Sequence, residues 1–165
     1  MVNEKNVFKL LSTYINDTGQ TEIQINSFNH FINFGLQNII DNDNRIEIDV
    51  QEKFKYIIEM YDMHVDKPTI LNNNRNITQI MPNECRLRDM SYTSNVYVTI
   101  IEKKCDNNNN ILEKNVYTRI LIAQLPIMLQ SCKCNLNNMT VENRVKQGEC
   151  RYDKGGYFII NGKER

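Results

Sequence analysis

The sequence predicts an α+β fold: N-terminal helices followed by an antiparallel-rich mixed sheet with hairpins. Three observations carry this. Apolar residues recur at helical spacing through the first two segments, the period drops to two from Arg45 onward, and polar turns separate the later β-prone runs in hairpin order. Helices grouped ahead of strands argue α+β rather than alternating α/β. The expected organisation is one incomplete domain over residues 1–165, with helices at about 7–41 and a sheet-rich part at about 45–165, truncated at its C-terminus.

In chain order, Val7, Phe8, Leu10, Leu11, Tyr14 and Ile15 have helical spacing, and the helix is expected to end near Asp17-Thr18-Gly19. Ser27 is expected to cap a second helix whose stripe is Phe28, Phe31, Ile32, Leu36, Ile39 and Ile40. Both read as packing elements. Ile46, Ile48 and Val50, then Phe54, Tyr56, Ile58 and Met60, alternate with polar residues, which predicts two half-buried strands. Pro68 is expected to end the extended region and 72–76 to be a loop. Tyr92 to Glu102 and Val116 to Ile122 form a hairpin about the loop at 107–110, with Val96, Val98 and Ile100 on one face. Pro126 breaks the run Leu125 to Leu129. Thr140 and Asn143 start a short helix that Gly148 ends. Near the end, Asn161-Gly162 is a hairpin turn signal, and the expected returning strand lies past Arg165.

Composition narrows the class. There are 20 basic and 20 acidic residues, so nucleic-acid attraction must come from a local patch. No apolar run reaches the ~20 residues of a membrane span, and the N-terminus lacks signal-peptide character, so the expected setting is intracellular without a membrane partner. Five cysteines, an odd number, fit reduced thiols. The 25 asparagines, with runs at 72–74 and 107–110, fit the codon bias of an AT-rich genome and carry no functional information.

No motif in the chain carries catalysis. Cys132-Lys133-Cys134 is the one close pair of soft ligands, but Cys85, Cys105, Cys150, His30 and His64 are scattered, so no zinc site is expected. His64 stands near Asp62 and Asp66 without a serine or cysteine nucleophile motif. Asp41, Asp43, Glu47 and Asp49 lack the spacing of a calcium loop and read as a solvated face. Gly155-Gly156 precedes a strand and belongs to no phosphate-binding pattern. Arg86, Arg88, Lys133, Arg144, Lys146, Arg151, Lys154, Lys163 and Arg165 are locally basic, and ordinary solubilising charge accounts for most of them.

Several segments nonetheless resemble one family. Ser27-Phe28-Asn29-His30-Phe31 with Leu36-Gln37-Asn38-Ile39-Ile40 is similar to the early helix of the second-largest, beta-type subunit of multisubunit DNA-dependent RNA polymerases. Pro82-Asn83-Glu84-Cys85-Arg86-Leu87-Arg88-Asp89-Met90-Ser91-Tyr92-Thr93-Ser94 is similar to the family's P-x-E-A-R-L-R-x-x-x-Y-S/T-S segment, with Cys85 in place of the usual alanine. Leu125-Pro126-Ile127-Met128-Leu129-Gln130-Ser131 resembles L-P-I-M-L-R-S. Glu149-Cys150 through Asp153, then Gly155 to Gly162 and Glu164, resembles E-C-x-x-D-x-G-G-Y-F-I-I-N-G-x-E. The likeness runs from about Val7 to Arg165 and is of the eukaryotic and archaeal kind. The asparagine-rich composition suits a large DNA virus.

The resemblance implies the start of the protrusion that walls the DNA cleft, a non-catalytic scaffold within an enzyme that makes RNA from nucleoside triphosphates on a DNA template. The implied partners are the remainder of the second-largest subunit, the largest subunit, other polymerase subunits, the DNA template and the RNA–DNA hybrid. It implies no catalytic residue, metal or cofactor in this chain, the active-site magnesium being held mainly by the largest subunit. Arg86, Arg88 and Lys133 are the candidate nucleic-acid contacts, with Arg86 and Arg88 equally open to internal salt bridges. Gln124 and Gln130 stand where related sequences often carry arginine, which would weaken attraction to phosphates. The implied location is a virion or cytoplasmic virus factory, otherwise the nucleus. Two other readings stay open: a standalone interaction module derived from that subunit, and a non-functional gene fragment.

Overall fold

The computed structural model describes residues 4–19, 21–50, 54–71, 76–106 and 110–165. They fall into two compact units. One comprises His30–Lys67 and Thr93–Leu125, the other Met1–Asn29, Pro68–Tyr92 and Pro126–Arg165. The α+β expectation holds, and all the strand pairs described in full are antiparallel.

The first unit is built on a four-stranded sheet of β1 (Arg45–Val50), β2 (Phe54–Val65), β5 (Thr93–Asp106) and β6 (Ile111–Pro126), in the order β1-β2-β5-β6. The period-two pattern sets the register, with Ile46 opposite Ile58, Ile48 opposite Tyr56 and Val50 opposite Phe54. Ile57, Val65, Val96, Val98 and Cys105 are buried. The expectation that β1 is half buried needs correction: every β1 residue is exposed, because β1 is an outer strand paired with β2 on one side. Residues 107–109 of the expected hairpin tip lie outside the described residues.

The same unit holds a π-helical turn, Phe31–Gly35, followed by α3 (Leu36–Asn42). The Leu36 N–H donates to Phe31 O, the wider spacing of a π turn, and a Cβ on Gly35 would stand 2.9 Å from the Phe31 ring. The helix meets the sheet at a bulge. Register shifts between Tyr61 and His64, Asp62 takes φ +51°, and the Met63 N–H donates to Gln37 Oε1 at 3.0 Å. A helix side chain thereby accepts a donor that the bulge removes from the ladder.

The second unit contains α1 (Glu4–Thr18), most of α2 (Glu22–His30), the hairpin β3 (Thr69–Leu71) with β4 (Ile77–Gln79), α4 (Pro82–Leu87), α5 (Val141–Lys146) and the hairpin β7 (Ile159–Ile160) with β8 (Lys163–Glu164). Three expectations change here, and one helix appears that the sequence reading did not address. Ser27 lies in the body of α2, not at its start; the Thr21 carbonyl accepts from Ile25 N–H at 3.0 Å and Glu22 supplies first-turn negative charge. Pro68 does not end the extended chain, since β3 begins beside it. Pro82–Leu87 is a helix with proline at its first turn, where the missing N–H costs nothing. The returning strand after Asn161-Gly162 is present: Ile159 pairs with Glu164 and Ile160 with Lys163. A two-residue arm is too short to show a period.

The α5 expectation holds. Thr140 caps it, its side chain accepting from Asn143 N–H at 3.3 Å, and Gly148 at φ +87° ends it. The described apolar side chains of α1 are exposed, Phe8 at 71% and Leu10 at 70%, rather than forming the packed face expected for this helix. Among those residues no helix is long and apolar enough to cross a membrane.

Candidate functional site

The three later motif segments, which lie apart in the sequence, meet around Tyr92. This side chain is fully buried, with Ile127, Leu129, Cys134, Leu136 and Ile159 in the same core. Tyr92 N–H donates to Ile159 O, and Ile127 N–H donates to Tyr92 O, each at 2.9 Å. Leu129 N–H then donates to Tyr157 O at 2.9 Å, and Gly156 N–H to Leu129 O at 3.1 Å. The apolar run 127–129 is thus threaded as an irregular strand between the other two segments. Proline at 126 and the fixed turns explain why it never becomes a regular one.

The Tyr92 hydroxyl continues the network, accepting from Asn135 N–H at 2.8 Å and donating to Cys134 Sγ at 3.6 Å. Asn135 Nδ2 donates to Pro68 O and Ile80 O, both at 2.8 Å, tying the β3–β4 hairpin to the same core. Burial raises the phenol of Tyr92 well above its ordinary range and pushes the Cys134 thiol upward as well. They hold structure and are not poised for proton transfer.

Arg86 at the end of α4 is the polar counterpart. Its Nη1 meets Glu149 at 2.9 and 3.1 Å, its Nε meets Glu164 Oε1 at 2.9 Å, and its Nη2 donates to the Tyr157 hydroxyl at 2.8 Å. That hydroxyl donates to Asp153 Oδ2 at 2.5 Å, while Asp153 Oδ1 accepts from Gly155 N–H at 2.8 Å. Burial, the largest influence, would lower the guanidinium pKa, but the charge and hydrogen bonds of Glu149 and Tyr157 together outweigh it and the net shift is upward. Burial, then Asp153, pushes the Tyr157 phenol up. At Gly155, with φ +69°, a Cβ would stand 2.6 Å from Leu129 O, so the turn needs glycine.

The sequence-predicted contacts separate. Arg86 faces inward on this carboxylate pair. Arg88 is half exposed and paired with Glu84 at 2.6 Å. Lys133 is partly buried in the 131–134 turn and forms no ion pair among the described residues. Of the two glutamines standing for arginine, Gln130 donates from Nε2 to Asp153 O at 2.8 Å, inside the network. Gln124, in the sheet unit, donates to Asn95 Oδ1 at 3.3 Å. Residue-by-residue reading missed Glu149, Asp153 and Glu164 as partners of Arg86 and Tyr157. Only their places in the motif segment marked them. Among the described residues no group of three or more His, Cys, Asp or Glu could hold a metal.

The three later motif segments therefore meet in one hydrogen-bonded, ion-paired core. Comparison with known proteins agrees in identifying its family: residues 19–165 match the RNA polymerase beta subunit model, and the chain belongs to that family. It is 38% identical over 165 residues to the probable DNA-directed RNA polymerase II subunit RPB2 homolog of Invertebrate iridescent virus 3, covering 99% of this chain and 14% of that protein. It is 34% identical over 164 residues to DNA-directed RNA polymerase III subunit rpc2 of Dictyostelium discoideum, covering 99% of this chain and 10% of that protein. With DNA-directed RNA polymerase II subunit 2 of Arabidopsis thaliana the identity is 29% over 178 residues, covering 99% and 15%. The chain thus spans about a seventh of the length of the viral relative, at its N-terminal part.

Proposed function

We propose that this chain is the opening part of the protrusion in a viral second-largest RNA polymerase subunit. It serves as a non-catalytic wall of the DNA cleft in an enzyme that polymerises nucleoside triphosphates on a DNA template. The observation that supports this best is the engagement of the motif groups Glu149, Glu164, Tyr157 and Asp153 with Arg86, with one another and with a backbone donor, which ties them into a scaffold. The family's magnesium does not fit these residues, because Glu149, Asp153 and Glu164 already hold cations or donors. In this reading the metal sits on the largest subunit. The partners are the rest of the second subunit, the largest subunit and the other polymerase subunits, with template DNA and hybrid along the wall. The setting is a virion, a virus factory or the nucleus.

Lys133 and Arg88 are the basic side chains we assign to DNA phosphates. Arg86 belongs to the internal knot first, and any phosphate it meets would compete with Glu149. The test replaces the matching segment of the iridescent virus subunit with this chain and assembles the polymerase. Retained assembly and template-directed RNA synthesis are expected, and failure to assemble would overturn the reading. In that enzyme Lys133→Ala or Arg88→Ala should reduce the salt slope of DNA binding by about one each.

A further inference from the structure

We infer that Asn161 is a site of spontaneous deamidation that the folded β7–β8 hairpin holds closed and that opening of the hairpin releases. This does not depend on the polymerase reading. Asparagine before glycine is chemically labile, because the missing side chain lets the glycine nitrogen reach the asparagine side chain. In the reaction Gly162 N loses its proton and bonds to Asn161 Cγ, the Cγ–Nδ2 bond breaks, and ammonia leaves. Water then opens the succinimide at either carbonyl, giving aspartate or isoaspartate at position 161. No oxidant or enzyme is required.

The structure opposes each part of that attack. Gly162 N–H donates to Met90 O at 2.9 Å, so the nucleophile keeps its proton and faces a carbonyl. Ser91 Oγ holds the electrophile from two directions: it donates to Asn161 Oδ1 at 3.1 Å and accepts from Asn161 N–H at 3.0 Å. The two residues take φ +48° and +72°, the paired left-handed turn that Asn-Gly favours. Ring closure requires Cγ to swing onto the Gly162 nitrogen, which breaks the Ser91 contact and the Met90 bond together.

Asp89 Oδ1 lies 2.7 Å from where a Cβ on Gly162 would stand, so the new negative charge at the exposed position 161 forms one residue from a like charge. Isoaspartate also adds a methylene to the backbone between Ile160 and Lys163, whose pairing closes the hairpin. Glu164, which holds Arg86 Nε, lies on the returning arm. Each opening that ends in deamidation thus loosens the Arg86 knot, and the change cannot reverse.

The test is peptide mass spectrometry with isoaspartate detection on the 165-residue chain, incubated at neutral pH in buffer and in denaturant. Deamidation at Asn161 is expected to be at least about tenfold slower in buffer, since local opening must come first. Equal rates in the two conditions would overturn the proposal. Ser91→Ala should raise the rate in buffer several-fold while the circular dichroism spectrum is unchanged. If that variant fails to fold, sub-denaturing urea on the unaltered chain replaces it: the rate must rise in step with exchange of the Gly162 amide, and a rate indifferent to that exchange overturns the gating.

Discussion

Arg86 and Glu149 stand 63 positions apart, yet guanidinium and carboxylate meet at 2.9 Å with only 3% of the glutamate side chain exposed. The carboxylate is folded in on the strength of that one cation. Arg86→Ala would leave a buried, unpaired charge and should cost about 3–5 kcal/mol, read as a lowered urea midpoint. Glu149→Gln on the same background should recover part of the loss, since the orphaned charge is then gone. Glu164, whose side chain is 57% exposed, contributes far less, and Glu164→Gln should cost no more than about 1 kcal/mol.

Tyr92→Phe separates hydrogen bonding from packing. The ring and its core contacts stay, while Asn135 N–H loses its acceptor in a site only 4% exposed. An unmet buried donor costs about 1–3 kcal/mol, and Cys134 Sγ loses a donor as well. The urea midpoint should fall by that amount, and the Asn135 amide should exchange faster than its neighbours.

Stability should decline at alkaline pH. Burial, with Glu84 adding to it, pushes the Cys85 thiol up to about 11. The unfolded thiol ionises near 8.5, so above about pH 8.5 the unfolded state releases a proton that the folded state keeps. Cys85 therefore contributes in full below that pH, and its contribution is lost as pH rises toward about 11, with a limiting slope of about 1.4 kcal/mol per pH unit. Tyr92 and Tyr157, also raised, extend the decline above their unfolded range. Urea midpoints compared at about pH 8 and about pH 10 should show the fall, and Cys85→Ala, with the residue usual in the family, should flatten its first part.

The large sheet was legible because apolar and polar residues alternate clearly in β1 and β5: Ile46, Ile48 and Val50 predicted β1, and Val96 and Val98 predicted the buried face of β5. Short elements were not. β8 has two residues, β3 and β4 have three each, and α4 has six, so none completes enough of a period to be seen. Ser27 misled because a capping residue type also tolerates a helix interior, and the true start was set by the Thr21 carbonyl and Glu22. The knot was legible only as motif. Nothing local in Glu149 announces a partner on another segment, because such contacts are fixed by tertiary folding across separations of 63 residues for Arg86–Glu149 and 42 for Tyr92–Cys134, whereas Asp153 meets Tyr157 only four residues on.

The outer strand β6 gives the last prediction. It has 16 residues, nearly all exposed, and Ile111, Leu112, Val116, Tyr117, Ile120, Leu121 and Ile122 lie open on it. Apolar residues run consecutively from Ile120 to Ile122 with 38%, 52% and 45% exposure, so both faces of the strand carry them. A strand that faces solvent on one side alternates, whereas one covered on both sides reads as continuously apolar. β6 has the composition of a covered strand in an outer position, and an open apolar edge promotes self-association. Leu121→Lys should therefore change the urea midpoint of the isolated chain by no more than about 0.5 kcal/mol, because the side chain makes little contact to lose. Sedimentation should show less association at high concentration, while the same change in the reconstituted polymerase should impair assembly. A midpoint loss above about 1.5 kcal/mol in the isolated chain would mean that Leu121 is already packed, and would remove β6 as an assembly face.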